Sequence, residues 1–142
     1  MATYDPAAIR SAIKTLVSGV TSVSKVYDFL NPEIEGYPAV IFDVSDEEAS
    51  MLDDANNLRI ITFKMWLVVE IPVKLQVGAR DLLDTITKDV INVLELKAND
   101  TLSGTVDWVV PVVGPRTQSL SPEGNFFYQE LNIQCNVAST IL

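Results

Sequence analysis

The chain has 142 residues, 48% of them hydrophobic, a formal charge of −9, no histidine and one cysteine, Cys135. This length and composition predict one domain over residues 1–142, with enough apolar side chains for a core and no signal peptide or membrane helix. They exclude histidine-dependent catalysis and an internal disulfide. They also argue against direct nucleic-acid binding, which needs clusters of Lys and Arg.

The net charge is concentrated in one segment of the chain. Residues 28–54 carry nine carboxylates and no Lys or Arg, whereas the ten acids elsewhere balance the ten bases. We therefore interpret the chain as a neutral domain with one acidic segment. Such a segment is suited to repel a negatively charged molecule or to fit a basic partner.

Helical and extended patterns alternate in the N-terminal half. An Asp-Pro pair typical of an N-cap precedes apolar residues at helical spacing, which predicts a helix over 6–18. Short runs rich in β-branched and aromatic residues predict strands over 23–29 and 38–44. The polar and acidic residues of 45–57 are predicted to form a long loop, and loops of that length are commonly functional.

The C-terminal half begins with the clearest strand pattern of the chain, an apolar alternation over 58–73. At about 3.3 Å per residue this run spans roughly 50 Å, so we expect either a bulge or a projection beyond its own domain. A second amphipathic helix is predicted over 78–96. Strands follow over 106–113 and 126–138, separated by a long exposed Gly/Pro loop over 114–124.

The predicted element order is α-β-β-β-α-β-β. Consecutive strands joined by loops favour antiparallel pairing, and two amphipathic helices can cover one face of a sheet. We therefore predict an α+β fold, a two-layer sandwich in which two helices pack on one face of a mostly antiparallel sheet.

No motif predicts catalysis, a metal site or a cofactor. The acids of 46–54 lack the alternating ligands and central glycine of a calcium loop, and the isolated glycines do not form a phosphate loop. Cys135 falls on the apolar face of its strand, where an inert buried thiol is expected. We therefore predict a protein that is not an enzyme and that needs no cofactor.

The remaining candidates are interaction surfaces. Large apolar side chains on the outer faces of two strands would be covered either by the chain's own loops or by a neighbouring copy. This predicted inter-subunit surface consists of Trp66, Val68, Phe126 and Tyr128. The acidic loop is predicted to face a partner or a lumen through Asp46, Glu47, Glu48, Asp53 and Asp54. A second contact loop contributes Arg116, Gln118 and Leu120.

Short motifs in a fixed order resemble a known family. A capped helix precedes Lys25-Val26-Tyr27-Asp28 and Gly36-Tyr37-Pro38-Ala39-Val40, and a long strand and a second helix precede Asp100-Thr101-Leu102-Ser103-Gly104. A strand, a Gly/Pro loop and an alternating strand complete the order. Over its full length the chain resembles the tail terminator, or tail completion, proteins of long-tailed bacteriophages, the group that includes the lambda tail terminator.

The resemblance implies a virion protein, assembled in the host cytoplasm, with no catalytic residues and no membrane association. It implies a hexameric ring that caps the head-proximal end of the tail tube, ends tube polymerisation and joins the tail to the head. The implied partners are further copies of the chain, the tail tube protein, a head–tail connector or neck protein and, in contractile tails, the sheath. DNA would pass through the channel without specific binding.

Two alternatives stay open. The first is a head–tail connector, or another minor tail component of related fold. The second is an acidic binding protein that mimics DNA, which would need carboxylates at phosphate-like spacing on a rigid surface. The acids here fall partly on a predicted loop, which disfavours a mimic.

Overall fold

A computed structural model describes residues 3–30, 32–51, 56–71, 76–96, 99–121 and 124–140. Over these residues the chain forms two helices and five strands in the order α-β-β-β-α-β-β, which confirms the predicted α+β class. The elements are α1 (Pro6–Ser18), β1 (Lys25–Tyr27), β2 (Ala39–Met51), β3 (Asn56–Glu70), α2 (Gln76–Glu95), β4 (Trp108–Ser121) and β5 (Gly124–Thr140).

The strands form one mixed sheet in the spatial order β1-β2-β3-β5-β4. The three-residue strand β1 pairs in parallel with residues 39–41 of β2, and all other neighbours are antiparallel. Because β1 is short, the residues of β2 after Ile41 pair only with β3 in the described sheet. The sheet therefore has two long free edges, one along β4 and one along the second half of β2.

The main core lies between the two helices and one face of the sheet, here called the inner face. The predicted alternation in β3 and β5 is confirmed, because the odd-numbered apolar residues of β3 and those of β5 from Leu131 to Val137 are buried there, while Phe127 is partly buried against the same core. Removal of this apolar surface from water is the main contribution to stability. The fully buried inner-face and helical side chains include Ile9, Ile13, Val17, Ile61, Phe63, Met65, Leu67, Leu83, Val90, Leu94, Leu131, Ile133 and Val137.

The first helix has the bounds that the sequence predicts. The Asp5 carboxylate accepts a hydrogen bond of 3.2 Å from the Ala8 backbone N–H, and Pro6 occupies the first turn. At the other end the Gly19 N–H donates to the Leu16 carbonyl oxygen. The cap satisfies a backbone N–H that has no partner within the helix. The fixed φ angle of the proline suits the first turn of a helix.

The prediction of a loop over 45–57 is wrong. β2 continues to Met51 and β3 already begins at Asn56, so most of this segment forms the two arms of an antiparallel hairpin. A bulge between Val44 and Asp46 shifts the register within β2. Backbone pairing with β3 imposes the extended conformation here, although the side chains are acidic and have low strand propensity.

The prediction of a loop over 114–124 is also wrong. Residues 114–121 continue β4, and β5 begins at Gly124. A register shift between Val113 and Arg116 accommodates Gly114 and Pro115 as a bulge. A proline is tolerated on this edge strand because a missing N–H there breaks no second ladder.

Candidate interaction surfaces

The face of the sheet opposite the helices, here called the outer face, is partly covered by the chain itself. The covering segment (residues 28–30 and 32–38) connects β1 to β2 and packs with Ile34 and Tyr37 against a second buried cluster. That cluster consists of Tyr27, Ala39 and Val68. The Tyr27 hydroxyl accepts a hydrogen bond of 2.9 Å from the Glu35 backbone N–H, which fixes the segment against the sheet.

The four residues of the predicted inter-subunit surface lie together on this outer face but differ in exposure. Val68 is 1% exposed, so its own chain covers it. Trp66, Phe126 and Tyr128 are only partly buried, and the Phe126 ring lies 5.2 Å from the Tyr37 ring, centroid to centroid. Contact of these residues with a neighbouring copy stays a prediction.

Trp66 and Tyr128 line an apolar groove of about 430 Å³ between the covering segment and the sheet. The covering segment forms one wall, and four strands of the sheet form the floor. Apolar side chains dominate the lining, so the groove suits large apolar side chains better than a charged ligand. The lining residues are Leu30, Pro32, Ile34, Ile41, Trp66, Thr117 and Tyr128.

The wall of the groove formed by the covering segment carries an acidic rim. Glu33 and Glu35 are exposed there and alternate in sequence with the half-buried Pro32 and Ile34. Because the two carboxylates have the same sign and face solvent, this rim repels an acidic partner and attracts a basic one. The pKa of Tyr37, on the same covering segment, is raised above its usual range. Burial is the main cause, and the nearby Tyr128 and Glu70 act in the same direction.

The predicted acidic contact lies partly on the β2 arm of the hairpin. Glu47 pairs in register with Ile61 on the inner side, and its carboxylate accepts a hydrogen bond of 2.8 Å from the Tyr4 hydroxyl. That hydrogen bond is the main reason why the pKa of Tyr4 is raised. The Arg59 guanidinium lies 4.9 Å from the centre of the Tyr4 ring.

Asp46 and Glu48 occupy the opposite side of the same arm. Their register partners, Thr62 and Ile60, belong to the outer face, and both carboxylates are exposed. Within the described residues their side chains make no ion pair or hydrogen bond. They are therefore free to act on a partner, whereas Asp53 and Asp54 lie outside the described residues.

The predicted second contact residues lie on β4 rather than on a loop. Arg116 is engaged within its own chain, because its Nη1 donates to the Asp84 carboxylate at 2.7 Å and its Nε donates to the Gln129 side-chain oxygen at 2.8 Å. Gln118 is exposed, and Leu120 lies in the same strand near its end. Contact of these three with a partner stays a prediction.

The first half of β4 exposes an apolar stripe that the sequence analysis did not single out. Trp108, Val110 and Val112 are 42%, 41% and 40% exposed on the outer face, and they pair with Asn136, Gln134 and Asn132 of β5. The run Trp-Val-Val-Pro-Val-Val is apolar at both parities, so its periodicity cannot indicate which face is covered. The structure supplies that distinction.

The remaining chemical candidates are buried or dispersed. Cys135 is fully buried on the inner face, where desolvation raises the pKa of its thiol to about 12, so the thiol is protonated and shielded. No group of three or more Cys, Asp and Glu residues in the described ranges is arranged to hold a metal ion. None of the described helices is long and apolar enough to cross a membrane.

Comparison with known proteins gives a likeness in structure only. No family model matches the chain, and no curated protein matches it. Among solved structures the chain is similar to a chain of the virion of the native gene transfer agent (GTA) particle, with a TM-score of 0.50 at 12% identity. The likeness covers 94% of each chain. The two chains therefore share this α+β fold over nearly their full lengths.

Proposed function

We propose that this protein is a structural component of a phage-like virion, and more specifically a tail terminator. In this role it forms a ring, of six copies in the family that it resembles, at the head-proximal end of the tail tube. The ring ends tube polymerisation and presents a surface to the head–tail connector. The observation that carries the proposal is the shared fold with a chain of the gene transfer agent virion over 94% of both chains.

The shape of the sheet supports assembly into a ring. β3 runs over 15 residues and β5 over 17, well beyond the usual five or six, so the sheet extends as a three-stranded projection past β1 and β4. The two long free edges and the exposed apolar stripe offer several surfaces for neighbouring copies. Exposed apolar surface of this kind is typical of protein interfaces.

The charge distribution supports passage of DNA without binding. Asp46 and Glu48 are exposed carboxylates on the β2 arm of the hairpin, with no partner among the described residues. Placed in a channel, they would repel phosphates and so prevent the phosphate contacts that hold proteins on DNA. Placed against a tube subunit, they would instead fit a basic surface.

We further propose that the protein acts sterically, without making or breaking a bond. The groove lining holds one ionisable side chain, Tyr128, and no carboxylate or amine. General acid–base catalysis needs positioned groups whose pKa values suit proton transfer, and this lining does not offer a pair of them.

The proposal is tested by polymerising tail tube subunits of the same particle with and without the purified protein. We expect shorter tubes of uniform length, measured by negative-stain electron microscopy, with a gold-labelled copy of the protein at one end only. Tubes of unchanged length, or label distributed along them, would contradict a terminator role.

A head–tail connector of related fold is the second candidate, because the likeness in fold does not distinguish the two positions. A pull-down decides between them. A terminator binds tube ends in the absence of head proteins, whereas a connector component binds the portal-side complex in the absence of tubes.

A further inference from the structure

We propose that the apolar stripe of one copy, Trp108, Val110 and Val112, packs into the apolar groove of a second copy. The inference rests on the proposed ring and names the two surfaces that join its subunits. Both surfaces belong to the same chain and differ in shape, so the contact is heterologous. A heterologous contact repeats from copy to copy and forms a ring when the rotation between copies closes.

The groove sets two requirements for its occupant. Its volume of about 430 Å³ and its apolar lining, with Trp66 on the floor and Leu30 on the wall, require large apolar side chains. Leu30 is 48% exposed, so this apolar surface is open in the isolated chain. The acidic rim at Glu33 and Glu35 excludes an occupant that carries carboxylates.

The stripe meets both requirements. Its indole and two valine side chains are exposed on one face of a single strand. β4 contains no Asp or Glu from Trp108 to Ser121, unlike β2, β3 and β5. In a chain of charge −9, most surfaces of a second copy would be repelled by the rim, whereas this one would not.

The neighbours of the stripe extend the uncharged surface. Asn132 and Gln134 of β5 pair with Val112 and Val110, so the accessible area next to these two residues carries polar but neutral side chains, whereas Asn136, the partner of Trp108, is buried. Natural proteins cover or charge an apolar edge strand because it otherwise promotes unspecific association. Pro111 and the bulge at Gly114 interrupt this edge, but no charged side chain protects its first half. A specific partner surface is therefore the expected cover.

Two variants test the contact by disabling one surface each. Val110→Glu places a carboxylate on the stripe, and Thr117→Trp fills the groove. The matched controls are Val113→Glu on the same strand, whose register partner Leu131 belongs to the inner face, and Asn92→Trp at an exposed position of α2.

We expect sedimentation and native mass spectrometry to show oligomers for the wild type and both controls. The dissociation constant of each test variant should rise at least about 30-fold, the effect of a hot-spot residue. Circular dichroism verifies that each variant is folded. If Val110→Glu does not fold, Val112→Glu tests the same surface.

Mixing the two disabled variants gives the sharpest result. The Val110→Glu copy keeps an intact groove and the Thr117→Trp copy keeps an intact stripe, so an equimolar mixture should form heterodimers and nothing larger. A mixture that stays monomeric, a wild type that is monomeric at every concentration, or controls that dissociate like the test variants would each overturn the inference.

The outcome is separable from that of the proposed function. If the wild type shortens tubes but neither test variant changes its assembly, the terminator role is supported and this interface is refuted. If both test variants disrupt assembly but the wild type never affects tube length, the interface is supported and the terminator role is refuted.

Discussion

The side-chain amide of Gln129 donates a hydrogen bond of 2.9 Å to the backbone carbonyl oxygen of Gly114. Gly114 lies in the β4 bulge, where the ladder to β5 is interrupted. Gln129 is 3% exposed and also donates to its neighbour's carbonyl oxygen, while its own oxygen accepts from Arg116. Arg116 in turn binds Asp84, so one glutamine links the bulge, β5 and α2.

Replacing Gln129 with leucine should destabilise the fold. The substitution keeps a side chain of similar size but leaves the Gly114 carbonyl and the Arg116 Nε without this partner, which costs about 1–3 kcal/mol of unfolding free energy. Urea denaturation measures the change. Gln134→Leu, an exposed position on the same strand, is the control and should remain within about 0.5 kcal/mol of the wild type. Equal effects at both positions would show that the bulge does not depend on Gln129.

The helices and the inner face were predictable because their signals are local. α1 has the predicted bounds, since its cap, its proline and its apolar spacing all lie within the helix or next to it. The alternation in β3 and β5 likewise reports directly which residues the core buries. These patterns need no knowledge of the rest of the fold.

The predictions of loops over 45–57 and 114–124 were wrong for a different reason. Asp46, Glu47 and Glu48 are poor strand formers, and Gly114 and Pro115 are typical of turns, yet both segments are extended. Pairing with β3 and β5 supplies the stabilisation, and that pairing is non-local. The groove was beyond sequence reasoning as well, because it joins residues from the covering segment and four separate strands.

Replacing Tyr27 with phenylalanine should loosen the covering segment without unfolding the core. The substitution removes the hydroxyl that accepts the Glu35 N–H hydrogen bond, at a cost of about 0.5–1.5 kcal/mol. Hydrogen exchange should show faster exchange of the Glu35 amide, while amides in β3 stay protected. Tyr128→Phe is the control, because the Tyr128 hydroxyl makes no hydrogen bond within the described residues. Unchanged exchange at Glu35 in the Tyr27 variant would contradict this account of the segment.

Cys135 should make stability fall at alkaline pH. Burial raises the pKa of its thiol to about 12 in the folded state, against 9.0 for an unperturbed thiol. Below pH 9 both states are protonated and the contribution of the thiol is fully present. Above pH 9 the thiol of the unfolded state loses its proton first. The free energy of unfolding therefore falls by up to about 1.4 kcal/mol per pH unit until the pH reaches the pKa of the folded state.

The comparison with Cys135→Ala isolates this effect from other alkaline titrations. Between pH 8 and pH 10.5 the wild type should lose about 1–2 kcal/mol more unfolding free energy than the alanine variant, measured by urea denaturation. Parallel pH profiles would show that the thiol is not shielded in the folded state. The native wild type should also resist thiol-modifying reagents at pH 8 until urea unfolds it.

Reversing the free charges on the β2 arm tests whether that arm faces the DNA channel. Asp46→Lys/Glu48→Lys changes two exposed carboxylates that have no partner among the described residues, so stability should change by no more than about 0.5 kcal/mol. Glu95→Lys/Asp100→Lys, at the end of α2 and in the turn after it, is the control. Each replacement adds two charges, so both double variants go from −9 to −5.

Assembled rings of the arm variant should bind duplex DNA in low salt, because the two added lysines of every copy would surround a duplex in the channel with cationic groups. Affinity should fall linearly on a double-logarithmic plot against salt concentration, as expected when phosphate contacts release counterions. Fluorescence anisotropy of a labelled duplex measures this. The control variant has the same net charge and should bind DNA far more weakly, since its lysines lie on the helical layer. Equal binding by both variants would indicate a response to net charge alone and would place the arm away from the channel.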